Sequence, residues 1–223
     1  MPPNRILLDI ECQRDLFIPG GALFRRGATG TARKVYRLFA WARKNHVPVL
    51  STALRLRSGQ LGPLGDVPHC IEDTPGERKL AATVLRSRID LGLRGTTDLP
   101  DHIFDRYQQV IVEKRRTDIF AHPRLERLIS ELPPVTFVLC GAGAAHGILQ
   151  AAIGLRARGF SVMLASDATL GIGEADAEMA RNRMHAKSVV FTPVERIVAP
   201  AKPTRRRAFR DCQPAGRQAF RPR

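Results

Sequence analysis

Short apolar runs alternate with longer segments of helical periodicity along most of the chain. Runs of mainly branched apolar residues predict strands; these are RILLDI (5–10), VPVLST (47–52), QQVIVEK (108–114), VTFVLC (135–140), SVMLAS (161–166) and SVVFTP (188–193). Apolar residues three or four positions apart predict helices; these are TARKVYRLFAWARKN (31–45), PRLERLISEL (123–132), GILQAAIGLRARG (147–159), GEADAEMARNRMHA (173–186) and the short PVERIV (193–198). Residues 55–107 follow neither pattern and are predicted to form long loops over the sheet.

Strands that alternate with helices in this way predict an α/β fold, in which a doubly wound, mostly parallel sheet carries helices on both faces. The regular pattern ends near Val198, so residues 1–198 are predicted to form one domain. Residues 199–223 are rich in proline and arginine and lack hydrophobic periodicity, which predicts a basic, disordered tail.

The carboxyl end of the chain is strongly basic. Residues 199–223 hold eight Lys or Arg and one acid, and so carry +7 of the formal net charge of +15. One interpretation is a solvated extension that improves solubility. The other is a nucleic-acid partner bound through phosphate contacts.

Neither secretion nor membrane insertion is predicted. The opening MPPNRILLDIE lacks a long apolar leader, and the uncharged stretch 135–155 is interrupted by Thr136, His146, Gln150 and glycines. The four cysteines are scattered without a CxxC pair and the six histidines are isolated, so reduced thiols and a cytoplasmic location are expected.

Ligands of doubly wound folds bind at the carboxyl ends of the strands. In this chain the polar and nucleophilic residues near those ends are Glu11, Asp15, Glu113, Lys114, Arg115, Cys140 and Asp167. After Cys140 comes a glycine-punctuated turn, GAGAAHG, that leads into a helix. A catalytic group is commonly mounted at such a junction.

Four blocks, in this order, resemble the isochorismatase-like cysteine hydrolase family, which includes nicotinamidases and N-carbamoyl amidohydrolases. The blocks are ILLDIECQRDLFIPGG, PHCIEDTPGE, VIVEKRRTDIF and VLCGAGAAHGILQAAIGLRARGFSVMLASDA. The resemblance extends over residues 5–198 and implies the isochorismatase-like hydrolase fold. It also implies an Asp, Lys, Cys triad, in which the cysteine attacks a carbonyl or imine carbon, the aspartate takes its proton and the lysine stabilises the charges.

Compared position by position, this chain agrees with the family triad at one residue and departs from it at two. Lys114 matches the lysine, Glu11 stands at the aspartate position with one more methylene, and Gly147 leaves the nucleophile position vacant. Without the thiol, Glu11 and Lys114 are expected to face each other across an empty space. Two interpretations stay open: a solvated ion pair of little energetic consequence, or a retained pocket for an anion or a carbonyl group.

Other residues were considered as replacements for the missing nucleophile. Cys140 ends a strand and is expected to be core, Cys12 should point to the opposite face from Glu11, and Cys70 matches a family cysteine that is not the nucleophile. His146 flanks the gap and is a candidate base toward water, although a single histidine beside a pocket is more often a binding or packing residue.

The resemblance also covers the surroundings of the triad. Nicotinamidases carry Asp and His metal ligands after the second strand, where this chain reads STALRLRSGQLG, so neither a metal nor another cofactor is predicted. Gly141 and Gly143 retain the turn at which the family has a non-proline cis peptide, and the turn amides are expected to survive as an oxyanion hole. Family members commonly form oligomers, which implies a homo-oligomer here.

Three functions follow from these observations. The favoured one is a small-molecule-binding protein on a hydrolase fold, with Glu11, Lys114, Asp15, Arg55 and the turn containing Ala142 and Gly143 around the site. Together with Arg57 and Lys114, Arg55 favours an anionic ligand. The alternatives are an active hydrolase of C–N or vinyl-ether bonds that uses Glu11 or His146 to direct water, and a nucleic-acid-associated protein that acts through its tail.

Overall fold

The computed structural model describes residues 4–171 and 174–200. The helices and strands, in chain order, are β1 (Arg5–Ile10), α1 (Arg14–Phe17), α2 (Ala28–Lys44), β2 (Val49–Leu54), β3 (Arg88–Asp90), α3 (Ile103–Arg106), β4 (Gln109–Lys114), α4 (Pro123–Ser130), β5 (Thr136–Ala142), α5 (Gly147–Ala157), β6 (Ser161–Leu170), α6 (Glu174–Ala186), β7 (Val190–Thr192) and α7 (Val194–Val198). The tail prediction beyond Pro200 lies outside the described residues.

Seven parallel strands form the sheet, in the order β3-β4-β2-β1-β5-β6-β7. The predicted doubly wound α/β fold is therefore confirmed. No helix in the described part of the chain is long and apolar enough to cross a membrane. β3 lies within the segment predicted to be loop, and its three residues are too few and too exposed to produce a strand pattern.

Apolar side chains pack in two clusters, one on each face of the sheet. On β1, Leu7 belongs to the cluster with α1, α2 and α7, whereas Ile6, Leu8 and Ile10 belong to the cluster with α3, α4, α5 and α6. Successive residues of a strand point to opposite faces, which is why a continuous apolar run fits a sheet that is covered on both sides.

β6 is longer than predicted, and this changes the place of Asp167. The strand continues to Leu170, so Asp167 lies inside it rather than at its end. The carboxylate of Asp167 accepts a hydrogen bond from the Val194 amide at 2.8 Å and pairs with Lys34 at 3.1 Å. Asp167 therefore joins β6 to α2 and α7, on the face away from Lys114 and Gly147.

Candidate functional site

Three elements bring Glu11, Lys114 and Gly147 together at the carboxyl end of the sheet. Glu11 directly follows β1, Lys114 ends β4 and Gly147 begins α5. The Nζ of Lys114 donates hydrogen bonds to Glu11 Oε1, to the Arg116 carbonyl at 2.8 Å and to the Thr117 carbonyl at 3.0 Å. The side chains of Glu11 and Lys114 are 0% and 3% exposed, so the pair is buried, which disagrees with the first of the two interpretations, a solvated pair.

The carboxylate of Glu11 lies against the position where a nucleophile would be mounted. A Cβ atom placed on Gly147 would lie 3.2 Å from Glu11 Oε1, 3.2 Å from Ile10 Cγ2 and 3.3 Å from the Thr117 carbonyl oxygen. These separations are tight for a Cβ atom. The longer acidic side chain and the missing side chain at position 147 are therefore complementary in volume.

Three amides of the turn between β5 and α5 are engaged in hydrogen bonds. The amides of Gly143 and Ala144 donate to the Leu170 carbonyl at 3.1 and 3.3 Å, and the His146 amide donates to the Gly143 carbonyl at 2.9 Å. Ala142 is buried at the end of β5. The described residues contain no cis peptide bond, so the family cis peptide expected at this turn is not present. With these three donors occupied, they do not form an open oxyanion hole.

Two polar atoms near Gly147 have no hydrogen-bond partner among the described residues. One is Glu11 Oε2 and the other is Nδ1 of His146, and both atoms are buried. His146 itself is half-buried and immediately precedes α5. Either atom has free hydrogen-bonding capacity, but Glu11 as a whole is inaccessible to solvent.

The side chains of Gln13 and Asp15 anchor backbone segments and do not reach the triad positions. The carboxylate of Asp15 accepts hydrogen bonds from the Cys70 amide at 2.7 Å and from the Ala22 amide at 3.2 Å. The side chain of Gln13 bonds to both the amide and the carbonyl of Leu54, each at 2.7 Å. The family pattern of acid, Gln and Asp therefore places two loop anchors directly after Glu11.

Arg55 is neutralised by acidic neighbours. Its guanidinium pairs with Glu77 at 2.9 Å and with Glu113 at 3.0 Å. Because Lys114 is engaged by Glu11 in the same way, these two cations have little charge left for a ligand. Arg57, by contrast, is exposed on the loop after β2.

The buried cysteines are not placed as nucleophiles. Cys12 and Cys140 belong to the cluster on the opposite face from α5, and burial followed by a hydrogen bond to Cys140 raises the pKa of Cys12. Burial also raises the pKa of Cys70, and the carboxylates of Glu11 and Asp15 raise it further. A protonated, buried thiol is a poor nucleophile.

A cavity of about 220 Å³ lies beside Lys114 and contains a histidine that the sequence analysis missed. Its lining includes Arg115, Arg116, Asp118 and His122. His122 is 7% exposed, and neither of its ring nitrogens has a hydrogen-bond partner within residues 4–171 and 174–200. Burial, followed by the nearby Arg124, lowers the pKa of His122 and keeps the ring neutral. The signal in the sequence was a histidine directly before the predicted helix PRLERLISEL.

Larger cavities of about 600 and 510 Å³ lie at the opposite end of the sheet. They are lined by residues next to the starts of β1, β2 and β5, among them Arg5, Ile6, Pro48 and Val135, and contain none of the triad positions. Among the described residues no group of three or more His, Cys, Asp or Glu is placed to hold a metal. Residues 55–65, after β2, contain none of these four residue types, so this segment does not fit the metal site of the nicotinamidases.

Comparison with known proteins finds a family match in the carboxyl-terminal part of the chain. Residues 95–196 match the isochorismatase domain. This range includes Lys114, His146 and Gly147. It does not include Glu11 and Asp15, which lie nearer the amino terminus. A comparison with curated proteins finds no match.

Solved structures share the whole fold at low sequence identity. The nicotinamidase/pyrazinamidase PncA of Bacillus subtilis is 17% identical, with a TM-score of 0.67 over 86% of this chain and 100% of that chain. The zinc complex of the Pyrococcus horikoshii pyrazinamidase is 21% identical, with a TM-score of 0.66 over 86% and 99%. The Thermoplasma acidophilum N-carbamoylsarcosine amidase is 14% identical, with a TM-score of 0.62 over 87% and 98%. The domain match and the shared fold confirm the resemblance.

Proposed function

We propose that this isochorismatase-like chain is a small-molecule-binding pseudoenzyme, in which the catalytic triad has become a buried ion pair. One observation carries the proposal: Glu11 Oε1 lies only 3.2 Å from the position that a Cβ atom on Gly147 would occupy. The space of the nucleophile is thus narrowed by the acid that would have served it. Glycine offers no atom for covalent catalysis.

The electrostatics of the pair support the same function. The ammonium group of Lys114 donates hydrogen bonds to Glu11 and to two carbonyl groups, so all three of its donors are engaged. The turn amides of Gly143 and Ala144 are bonded to Leu170, which leaves them unavailable to a developing oxyanion. Preorganised free donors are the main source of rate acceleration in acyl transfer.

The cavity beside Lys114 is the proposed ligand site. Arg116 is exposed at this cavity and forms no ion pair among the described residues, so its charge is free for a ligand. His122 offers a neutral ring with one donor and one acceptor, and a buried polar group without a partner favours a ligand that supplies one. A small carboxylate or phosphate fits this combination and the size of the cavity.

The catalytic part of the proposal is tested by ammonia release from nicotinamide, pyrazinamide and N-carbamoylsarcosine. The natural sequence is expected to release no more ammonia than buffer. The double variant Glu11→Asp/Gly147→Cys shortens the acid and restores the thiol, and is expected to exceed the natural sequence by at least about tenfold, since a positioned base contributes 10²–10⁴-fold. Glu11→Asp alone is the control and should remain silent.

The binding part is tested by thermal unfolding with benzoate or inorganic phosphate at millimolar concentration. Either anion is expected to raise the Tm, because a ligand that binds the folded state stabilises it. Arg116→Gln should remove this shift, whereas Arg86→Gln, a change at an exposed arginine outside the cavity lining, should retain it. Equal shifts in both variants would contradict a site at this cavity.

Hydrolysis by direct water attack is the second candidate, and the unpartnered Oε2 of Glu11 is the observation that favours it. In that case the natural sequence hydrolyses a member of the amide panel or a vinyl ether, and Glu11→Gln abolishes the turnover while leaving the fold intact. His146→Gln separates the two candidate bases, because it should reduce turnover only if the imidazole takes the proton.

A further inference from the structure

A long stretch of the chain contains no acidic residue. Between Asp15 and Asp66 there is neither Asp nor Glu, although nine Lys or Arg occur there, and five of these lie in α2. The acidic partners of α2 are Glu195 on α7, which accepts from Lys34 at 2.6 Å and from Arg37 at 2.5 Å, and Asp167 on β6, which pairs with Lys34 at 3.1 Å. The positive charge of the helix is therefore only partly neutralised.

The cations of α2 line up on its exposed side. Arg33, Arg37 and Lys44 stand four and seven residues apart, a spacing that places them on one face of a helix over about 17 Å. All three are exposed, and Arg33 and Lys44 form no ion pair among the described residues. We call these three residues the basic face of α2.

The amino end of α2 adds to this potential. Its capping residue, Gly27, provides no side chain to bond the first amides, and the first turn contains no acid. The exposed Arg25 and Arg26 precede it. The Ala28 amide donates to the Arg25 carbonyl at 3.0 Å, and the helix dipole favours an anion at this end.

Small residues complete the exposed surface. Gly30 and Ala40 are exposed between the cations, and a Cβ atom on Gly30 would meet nothing within 4 Å. Packing therefore does not require glycine at position 30. A glycine there also weakens the helix. A flat surface with long basic side chains at intervals allows a polyanion to approach the helix closely.

We propose that the basic face of α2 binds the phosphodiester backbone of a nucleic acid. A membrane surface fits less well, because the apolar residues of α2, such as Val35, Leu38 and Phe39, are buried in the core and none is left to insert. A protein partner fits less well because the face has no aromatic or large apolar residue at its centre. The chain leaves the described part at Pro200, directly after α7, which packs against α2; the eight Lys or Arg of residues 201–223 begin there.

The proposal is tested by fluorescence anisotropy with a labelled RNA strand and a DNA duplex of about 20 nucleotides each, at several salt concentrations. The full chain is compared with Arg33→Gln/Arg37→Gln/Lys44→Gln. Three lost phosphate contacts should weaken binding at least about tenfold and reduce the slope of log K against log salt by about 2–3. The matched control is Arg57→Gln/Arg86→Gln/Arg94→Gln, which removes the same charge from exposed arginines outside α2.

A second pair of variants separates binding from stability. Gly30→Gln and Gly30→Glu should both raise the Tm, since each replaces an exposed glycine of a helix. Gly30→Glu should nevertheless weaken RNA and DNA binding, because it places a negative charge within the basic face, whereas Gly30→Gln should leave binding unchanged.

The proposal is supported if the α2 variant loses more affinity for RNA and DNA than its control does. It is also supported if Gly30→Glu raises the Tm while it lowers the affinity. Equal losses in the two triple variants would overturn it, because net charge alone would then explain binding. It is also overturned if neither RNA nor DNA binds at low salt, or if only the tail variant Arg205→Gln/Arg206→Gln/Arg207→Gln loses affinity for them. A preference for phosphatidylserine vesicles over both nucleic acids would overturn it as well.

Discussion

Replacing Lys114 with methionine is expected to lower the free energy of unfolding by about 3–5 kcal/mol, the usual cost of breaking a buried ion pair from one side. Methionine fills most of the volume of the lysine stem, so the loss comes mainly from charge. The carboxylate of Glu11, which is fully buried, would be left without its cation. The carbonyls of Arg116 and Thr117 would lose their donor as well. Urea-induced unfolding measures the change.

Two further variants define the origin of this loss. Glu11→Gln/Lys114→Met removes both charges and should be more stable than Lys114→Met alone, because a buried amide costs less than a buried carboxylate. Lys187→Met, at an exposed lysine, should change stability by no more than about 0.5 kcal/mol. A loss below about 1 kcal/mol for Lys114→Met would show that the pair is hydrated in solution and would remove the basis for a closed triad.

Replacing Gly141 with alanine is expected to destabilise the fold by about 2–5 kcal/mol, from backbone strain of about 1–2 kcal/mol and overpacking of about 1–3 kcal/mol. Gly141 has a φ of 124°, and a Cβ atom there would lie 1.9 Å from the carbonyl oxygen of Ile10. Both atoms belong to the central strand pair β1 and β5, where Ile10 and Gly141 are in register. Neither strand can move away without disturbing the site at its end.

Gly159→Ala separates the two contributions. Gly159 also has a positive φ, 84°, but no atom lies within 4 Å of the position of its Cβ, so only the strain of about 1–2 kcal/mol should remain. Thermal unfolding followed by circular dichroism compares the two variants. Equal losses would show that β1 relaxes to accommodate the methyl group, contrary to the tight approach of the two strands.

The pattern of the chain was sufficient for the architecture. Apolar runs between helical segments predict a parallel sheet because a strand buried on both faces needs apolar residues at every position. The resemblance predicts that Gly147 stands at the nucleophile position and Glu11 at that of the acid. β3 and the continuation of β6 to Leu170 were missed, because their pairing depends on neighbouring strands rather than on local composition.

The way in which Glu11 and Lys114 pair was decided by tertiary structure alone. A glutamate and a lysine more than a hundred residues apart in sequence can form a solvated pair or a buried one, and the choice depends on how Ile10, Thr117 and α5 pack around them. The charges of Arg55 looked free in the sequence but are neutralised by Glu77 and Glu113, which the fold brings to it. His122 gained significance in the same way, since only packing shows that its ring is buried without a partner. Burial and pairing are properties of the assembled fold, because each depends on atoms contributed by distant parts of the chain.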